Sequence, residues 1–287
     1  MKIGLPASIA FALFAGAPLP APALAQDSSA ATTSVGHFTP EEAAAFSKQI
    51  ERDLAARGAR IALVFRSGRH RRALPEYINY THGALWVHQS IQAPDGSVFP
   101  GYVTWNLFHG DGETVPRGES YLATEFPVKF AAGSQVDDVA VIIPTPEMQR
   151  RLAGLLASGG YEALHRKTYS LVSDPGDSRF QNCTEFMLDL VAAAAWQTRD
   201  IGQIKANLKA HFRPTKVPAG PLARIFGPLA DSRLRTADHR GEPIETATFE
   251  SLSEFMMRHR LADAAYRLDF VRSEPVLVAA QEGEENG

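Results

Sequence analysis

The alternation of apolar and polar positions divides this chain into a helix, a group of strands and further helices. A capping box over residues 39–42, with proline at the first helical position, predicts a helix that ends at Gly58. Short apolar runs at residues 61–65 and 139–143 predict buried strands. Together with the segments described below, this order predicts an α+β fold in which a mainly antiparallel sheet packs against helices.

A β-hairpin is predicted near the middle of the strand region. Residues 81–90 and 101–108 are rich in valine, leucine and aromatic residues, and the turn sequence Ala-Pro-Asp-Gly-Ser lies between them. A turn centred on its aspartate sets residues whose numbers sum to about 190 opposite each other. His82 and Asn106 are then neighbours on one face, whereas a slip of one residue would bring His109 to that face.

The second half of the chain is predicted to be mainly helical. Thr145 caps a helix that runs toward residue 157, and the two glycines at residues 159–160 end it. Cys183–Trp196 is the clearest helix of the chain, and Ile201–His211 is a second one. Residues 251–270 are also predicted to be helical.

The N-terminal residues have the composition of a secretory signal peptide. Residues 1–25 contain a basic n-region, a short apolar stretch and the small-residue cleavage sequence Ala-Leu-Ala. Cleavage near Ala25 would give a periplasmic or secreted protein. We expect a disordered lead-in at residues 26–38, a single domain with a C-terminal helical extension at residues 39–275, and a flexible acidic tail at residues 276–287.

Charge and hydropathy exclude some classes of partner. The formal net charge of −3 gives no general electrostatic reason to expect binding of nucleic acid. No segment after the signal has an apolar run long enough to span a bilayer, so stable membrane insertion is not expected. The spacing of the histidines in the hairpin region matches no standard metal-binding motif. Neither a metal nor another cofactor is expected.

Cys183 is the only cysteine, and it starts the clearest helix. In an exported chain it has no partner for an internal disulfide, so it is either a reactive thiol or a small buried residue. Cys183 lies on the apolar stripe of its helix, whereas Glu185 and Asp189 point the other way. Backbone N–H groups and the positive end of the helix dipole favour a thiolate at this position.

A cysteine nucleophile needs a base, and His82 is the candidate because it starts an apolar strand that can hold it rigidly. The neighbouring Gly83 leaves room for another element to approach. On the predicted register, Asn106 lies within polar reach of His82 and could fix its tautomer. Either Asn106 or His109 could be the third residue of a catalytic triad with Cys183 and His82, and this choice stays open. A purely structural role for Cys183 and His82 also stays open.

These residues carry a resemblance to a known group. A strand that begins His-Gly-Ala-Leu-Trp-Val at His82, a polar residue on the next strand, and Asn-Cys-x-x-Phe at residues 182–186 resemble the circularly permuted NlpC-type papain-like superfamily. That superfamily includes the lecithin:retinol acyltransferase-like enzymes, and the resemblance covers roughly residues 61–197. With the stretches at residues 80–82 and 105–108, most of the mature chain more closely resembles an uncharacterised family of secreted bacterial proteins, a domain of unknown function.

The resemblance implies a papain-like fold and a cysteine hydrolase, an amidase or peptidase with cell-wall peptide as one candidate substrate. Cys183 would be the nucleophile, His82 the base and Asn106 the third residue, although many relatives have histidine or an acid in that third place. The residues expected to bind substrate are Tyr80, Trp86, Tyr102 and Asn182. The alternatives are an acyltransferase or lipid hydrolase acting on an acyl-lipid, and a non-catalytic protein of envelope binding or assembly.

Overall fold

The computed structural model describes residues 37–74, 78–217, 233–239 and 244–272. The helices are α1 (Pro40–Ala56), α2 (Pro127–Ala132), α3 (Pro146–Ala157), α4 (Gly160–Ala163), α5 (Cys183–Trp196), α6 (Ile201–His211) and α7 (Phe249–Arg258). The strands are β1 (Ile61–Arg66), β2 (His82–Gln92), β3 (Val98–His109), β4 (Ser120–Glu125), β5 (Asp138–Pro144), β6 (Thr215–Lys216), β7 (Glu245–Thr246) and β8 (Ala262–Asp269). A 3₁₀ turn covers Arg71–Ala73.

Six of these strands form one sheet in the order β4-β3-β2-β1-β5-β8. Every neighbouring pair in it is antiparallel. The predicted α+β class, with an antiparallel sheet packed against helices, is therefore confirmed. β6 and β7 pair separately as a short two-stranded ribbon.

The hairpin of β2 and β3 has the predicted register. Leu85 pairs with Trp105, and Trp86 pairs with Thr104. Gly96 in the connecting turn has a φ of 84°, a left-handed conformation that glycine adopts without steric cost. The turn residues therefore determine which side chains of the two strands share a face.

Alternate residues of the sheet belong to two separate cores. On β2, Leu85 and Val87 pack with residues of α3 and α5, whereas Ala84 and Trp86 pack with residues of α1 and α2. We call these two sides of the sheet the α5 face and the α1 face. Since β5 is buried along its whole length, the sheet is the middle layer of the domain.

The predicted start of α1 is confirmed. The Thr39 hydroxyl accepts a hydrogen bond from the Glu42 N–H at 3.1 Å, and the Glu42 carboxylate accepts one from the Thr39 N–H at 2.9 Å. This reciprocal capping box satisfies two N–H groups that the first turn of a helix otherwise leaves unpaired. Gly58, shortly after the helix, has a φ of 66°, which suits its role as a stop.

The prediction of a single helix over residues 251–270 is wrong. Helix α7 ends at Arg258, Arg260 takes a positive φ of 55°, and β8 then pairs with β5 along the edge of the sheet. Hydrogen bonding to a buried neighbouring strand outweighs the weak helical preference of this alanine-containing segment. The expected C-terminal helical extension therefore includes a strand that completes the sheet.

The predicted signal peptide at residues 1–25 and the acidic tail at residues 276–287 lie outside the described residues, as does most of the lead-in. Within the described ranges, no helix combines the length and the apolar composition needed to cross a membrane.

Candidate functional site

Cys183 occupies the first position of α5, as the sequence predicts. Asn182 caps the helix by accepting a hydrogen bond from the Glu185 N–H at 2.9 Å. The thiol is free, its residue is 5% exposed, and it belongs to the core on the α5 face. The local sequence therefore places the sulfur between the helix start and the sheet.

The sulfur of Cys183 lies beside the start of β2. Burial raises the pKa of Cys183, and the Gly83 N–H, the hydroxyl and N–H of Thr184 and the charge of Arg66 oppose that rise only in part. The Cys183 Sγ in turn lies 4.0 Å from the Thr81 carbonyl oxygen, to which it donates its hydrogen. At rest the group is therefore a neutral thiol.

Gly83 is needed for the close approach of α5 to the sheet. A Cβ at this position would overlap Met187 Cε and would lie 2.8 Å from Phe65 Cδ1. Contacts this short do not occur, so any other residue would have to displace the Met187 side chain of α5 and the Phe65 ring of β1. The expectation that Gly83 leaves room for another element is confirmed.

His82 and Asn106 are hydrogen-bonded, as the predicted register requires. His82 Nε2 lies 3.1 Å from Asn106 Oδ1. Asn106 Nδ2 donates to Thr104 Oγ1 at 3.0 Å, so Oδ1 is the acceptor and His82 Nε2 carries the hydrogen. His109 takes a different place, with its Nδ1 2.9 Å from the Gly110 carbonyl oxygen.

The surroundings of His82 keep its imidazole neutral. Its ring stacks on Phe108 with centroids 5.3 Å apart and lies 5.8 Å from the ring of Phe130. Burial, followed by the charge of Arg66, lowers the pKa of His82 to about 3, and the hydrogen bond to Asn106 opposes this only weakly. The imidazole is therefore neutral and has one free nitrogen, but a pKa this far below neutrality makes it a weak base in this conformation.

His82 and Cys183 nevertheless belong to opposite faces of the sheet. Phe130, which contacts the His82 ring, lies in the core of the α1 face, whereas Cys183 lies in the core of the α5 face. Among the described residues, no hydrogen bond joins the sulfur to the imidazole. The structure therefore brings His82 to Asn106, and brings the sulfur only to the backbone on either side of His82.

The residues expected to bind substrate are all buried and fill structural roles in this conformation. The Tyr80 hydroxyl donates to Asp138 Oδ1 at 2.9 Å, and the Tyr102 hydroxyl donates to the Ala59 carbonyl oxygen at 2.6 Å. Trp86 is fully enclosed beneath Phe130. Asn182, which caps α5, also donates from its side-chain amide to the Leu171 carbonyl oxygen at 3.3 Å.

A buried ion cluster, which the sequence does not predict, supports α5 from the side of α6. It consists of Lys205, Glu185 and Asp189, and we call it the carboxylate cluster. Lys205 Nζ lies 2.6 Å from Glu185 Oε1 and 2.7 Å from Asp189 Oδ1. Gln181 Nε2 donates to Asp189 Oδ2 at 2.8 Å and so ties the residues before Cys183 to the same cluster. Glu185 and Asp189 point away from the apolar stripe, as expected, but α6 covers them and both are fully buried.

The protonation of this carboxylate cluster follows from its burial. Burial raises the pKa of Glu185 to about 8, which the charge of Lys205 reduces and that of Asp189 increases. Burial alone would lower the pKa of Lys205, but the two carboxylates reverse the effect and raise it to about 12. The ammonium of Lys205 and the proton that burial favours on Glu185 both reduce the negative charge of the cluster.

A serine and a histidine form a second polar pair that the sequence gives no reason to expect. Ser120 Oγ lies 2.9 Å from His165 Nε2, and it also lies 3.1 Å from the Arg166 carbonyl oxygen. Ser120 is buried and starts the edge strand β4. The pair fixes the beginning of that strand against the segment after α4.

The fold and the site define an α+β protein with one buried, capped cysteine at a helix start. Residues 53–256 match a family described as uncharacterised proteins conserved in bacteria, DUF2145, and the chain belongs to that family. No curated protein and no solved structure matches the chain. The expected membership of a domain of unknown function is thus confirmed, and the family name assigns no reaction.

Proposed function

We propose that this protein is an exported thiol hydrolase that cleaves an amide or ester bond, with Cys183 as its nucleophile. The observation that carries the proposal is the position of the sulfur at the capped start of α5, beside Gly83 and Thr184, whose N–H groups and hydroxyl act to lower the pKa of the thiol. Donors of this kind stabilise a thiolate before the attack and an oxyanion after it. The start of α5 adds the positive end of the helix dipole.

His82 is the proposed base, and Asn106 is the residue that orients it. Their hydrogen bond at 3.1 Å fixes the tautomer, in the way that asparagine serves histidine in Cys-His-Asn enzymes. The His82 ring packs on the α1 face, where its pKa is about 3. The proposal therefore requires the start of β2 to turn, so that the ring leaves this apolar setting, regains a pKa nearer its ordinary value and reaches Cys183 Sγ. The chain order of histidine, asparagine and cysteine is that of the permuted papain-like arrangement.

The proposed reaction has two steps. In the first, His82 takes the thiol proton, the sulfur attacks the acyl carbon, and the leaving amine or alcohol receives that proton as a thioester forms on Cys183. In the second, His82 deprotonates a water molecule that hydrolyses the thioester and regenerates the thiol. An acyltransferase would follow the same course, with an acceptor alcohol or amine in place of the water.

A comparison of acyl substrates tests this proposal. Chromogenic acyl esters and peptide anilides are offered to the wild type, to Cys183→Ala and to Ser47→Ala, a control that changes a buried polar residue of α1. We expect a burst of product followed by slower turnover in the wild type and in the control, and neither in Cys183→Ala. Equal rates for the wild type and Cys183→Ala would refute a nucleophilic role.

A second candidate, a non-catalytic envelope-binding protein, is favoured by one specific observation. The sulfur is buried with a raised pKa, and its hydrogen bond goes to the Thr81 carbonyl oxygen while the His82 ring packs on the opposite face. On this hypothesis Cys183 is a small core residue that anchors α5 on β2. Absence of turnover on every acyl substrate, with unchanged binding of an envelope component by Cys183→Ala, would establish it.

Export belongs to the same proposal, because the composition of residues 1–25 is that of a signal peptide. Intact-mass measurement of the protein from a periplasmic fraction should show Gln26 as the first residue. A soluble cytoplasmic product that retains Met1 would contradict export.

A further inference from the structure

A cavity of about 500 Å³ lies beside the C-terminal end of α6, and neither Cys183 nor His82 lines it. We call it the α6 cavity. One wall is apolar and includes Leu208 and Phe212. The carboxylates in its lining are those of Asp174, Asp177, Asp238 and Glu245.

Asp238 has an oxygen that no hydrogen bond satisfies. The residue is 5% exposed, and its Oδ2 accepts the Asp174 N–H at 2.8 Å. Its Oδ1 is buried and accepts no hydrogen bond from any described residue. Buried carboxylate oxygens are normally paired, so the unpaired Oδ1 of a residue that lines the cavity points to a missing donor.

The nearest candidate donor within the described structure is already engaged. His239 Nε2 lies 3.5 Å from Asp238 Oδ1, but it contacts the Val172 carbonyl oxygen at 2.6 Å. His239 Nδ1 accepts the Glu245 N–H at 3.4 Å, which assigns the single ring hydrogen to Nε2. That hydrogen goes to Val172, so it does not satisfy Asp238.

The basic side chains of the cavity do not balance its acids. Arg179 is held by Asp177, with contacts of 2.8 and 2.9 Å, and it donates to the Ala237 carbonyl oxygen as well. Lys209 lies over Gly176, where a Cβ would be 2.8 Å from its Cε. Glu245 Oε1 lies 3.9 Å from Lys216 Nζ, so Asp177 and Glu245 each have a basic partner. Among the residues that line the cavity, Lys209 is then the base that remains for Asp174 and Asp238.

The end of α6 adds to this negative potential. Leu208 and Lys209 belong to its last turn, where the helix ends at His211 and its final carbonyl groups carry the negative end of the dipole. Arg258 already donates to the His211 carbonyl oxygen at 2.8 Å, and a further cation is favoured beside the other terminal carbonyl groups. The apolar wall next to it suits a carbon chain that carries the cation.

We propose that the α6 cavity binds a primary alkylammonium group, the protonated amine at the end of a short carbon chain. An ammonium group fits because Asp238 offers one free oxygen, whereas a guanidinium pairs best with both oxygens of a carboxylate. A metal ion fits poorly, since within the described ranges no three acidic, histidine or cysteine side chains are grouped to hold one. A lysine side chain and a free diamine share the required chemistry.

Isothermal titration calorimetry on the full-length mature protein tests the proposal. The probes are cadaverine, a lysine blocked at both its amino and carboxyl ends, and hexanoate as an anion of similar length. We expect saturable binding of at least one amine and none of hexanoate. Preference for the blocked lysine would identify a peptide side chain as the ligand, and preference for cadaverine would identify a free diamine.

Charge-removing variants locate the binding. Asp238→Asn should weaken binding of the amine at least about tenfold, because it removes a charge-assisted hydrogen bond. Asp263→Asn, on the exposed side of β8, is the matched control and should change nothing. Should Asp238→Asn fail to fold, Glu245→Gln at the same cavity should weaken binding in the same direction. Absence of saturable amine binding, or equal affinity in all variants, would overturn the proposal.

Discussion

Helix α5 carries two buried polar centres in its first two turns, and they are stabilised in opposite ways. Toward α6, the ammonium of Lys205 lies between the carboxyl groups of Glu185 and Asp189. Toward the sheet, the sulfur of Cys183 donates to the Thr81 carbonyl oxygen, and no side-chain base among the described residues forms a hydrogen bond with it. The carboxylate cluster is electrostatically complete, whereas the thiol site lacks a group that can take its proton.

This difference shows what burial demands of each group. A charge stays in a protein core only beside an opposite charge, and its loss exposes the partner to the full cost of desolvation. A thiol can stay neutral, so its burial needs no counter-charge. The carboxylate cluster is therefore a structural support of α5, whereas the thiol needs no such partner to stay buried.

The largest effect should come from breaking the carboxylate cluster. Lys205→Met leaves the carboxyl groups of Glu185 and Asp189 in the core without a counter-charge, and we expect a loss of about 3–5 kcal/mol in the free energy of unfolding. Lys209→Met, on the exposed side of the same helix, should change it by no more than about 0.5 kcal/mol. Urea unfolding followed by circular dichroism measures both. Wild-type stability in Lys205→Met would show that the cluster does not support α5.

A smaller effect should appear in the way the free energy of unfolding of Glu185→Gln depends on pH. The pKa of Glu185 is raised from 4.5 to about 8, so between these values the folded chain holds a proton that the unfolded chain releases. Stability should therefore fall as pH rises through that window. Glutamine keeps the acceptor for Lys205 and cannot ionise, so the variant should lose this slope. Glu162→Gln, an exposed control, should keep it; an unchanged slope in Glu185→Gln would contradict the assignment.

Much of this fold can be predicted from residues close together in sequence. The capping box of α1 and the register of the β2–β3 hairpin depend on local turn and cap chemistry, and both are present. The hydrogen bond between His82 and Asn106 follows from that register. Cys183 at the start of α5 follows from the position of the apolar stripe.

The remaining features depend on contacts between distant residues. β8 is a strand because β5 lies beside it, and the pairing joins segments that no local pattern relates. In the sequence, Glu185 and Asp189 have the spacing of a solvated helix face, whereas in the structure α6 covers them. The relation of His82 to Cys183 depends on the side of the sheet on which α5 packs, and the alternation along β2 does not determine that side.

The smallest effect on stability concerns His82, on the α1 face of β2, and appears as a loss of stability at acid pH. Because the pKa of His82 is lowered from 6.5 to about 3, the unfolded chain binds a proton in that range that the folded chain does not. Stability should therefore fall as pH drops from about 6.5 toward 3, and His82→Gln should reduce that fall. The exposed His70→Gln is the control. An NMR titration that places the His82 imidazole near its ordinary pKa would contradict this.

The most direct test of the proposed function is the pH profile of Cys183 alkylation by iodoacetamide, read by mass spectrometry. In the conformation described, the thiol is protonated and His82 faces away from it. If the start of β2 turns as the proposed reaction requires, the folded wild type should react near about pH 6, and His82→Ala should react far more slowly. Reaction that begins only at alkaline pH, with the same rates in both proteins, would show that Cys183 is a structural residue.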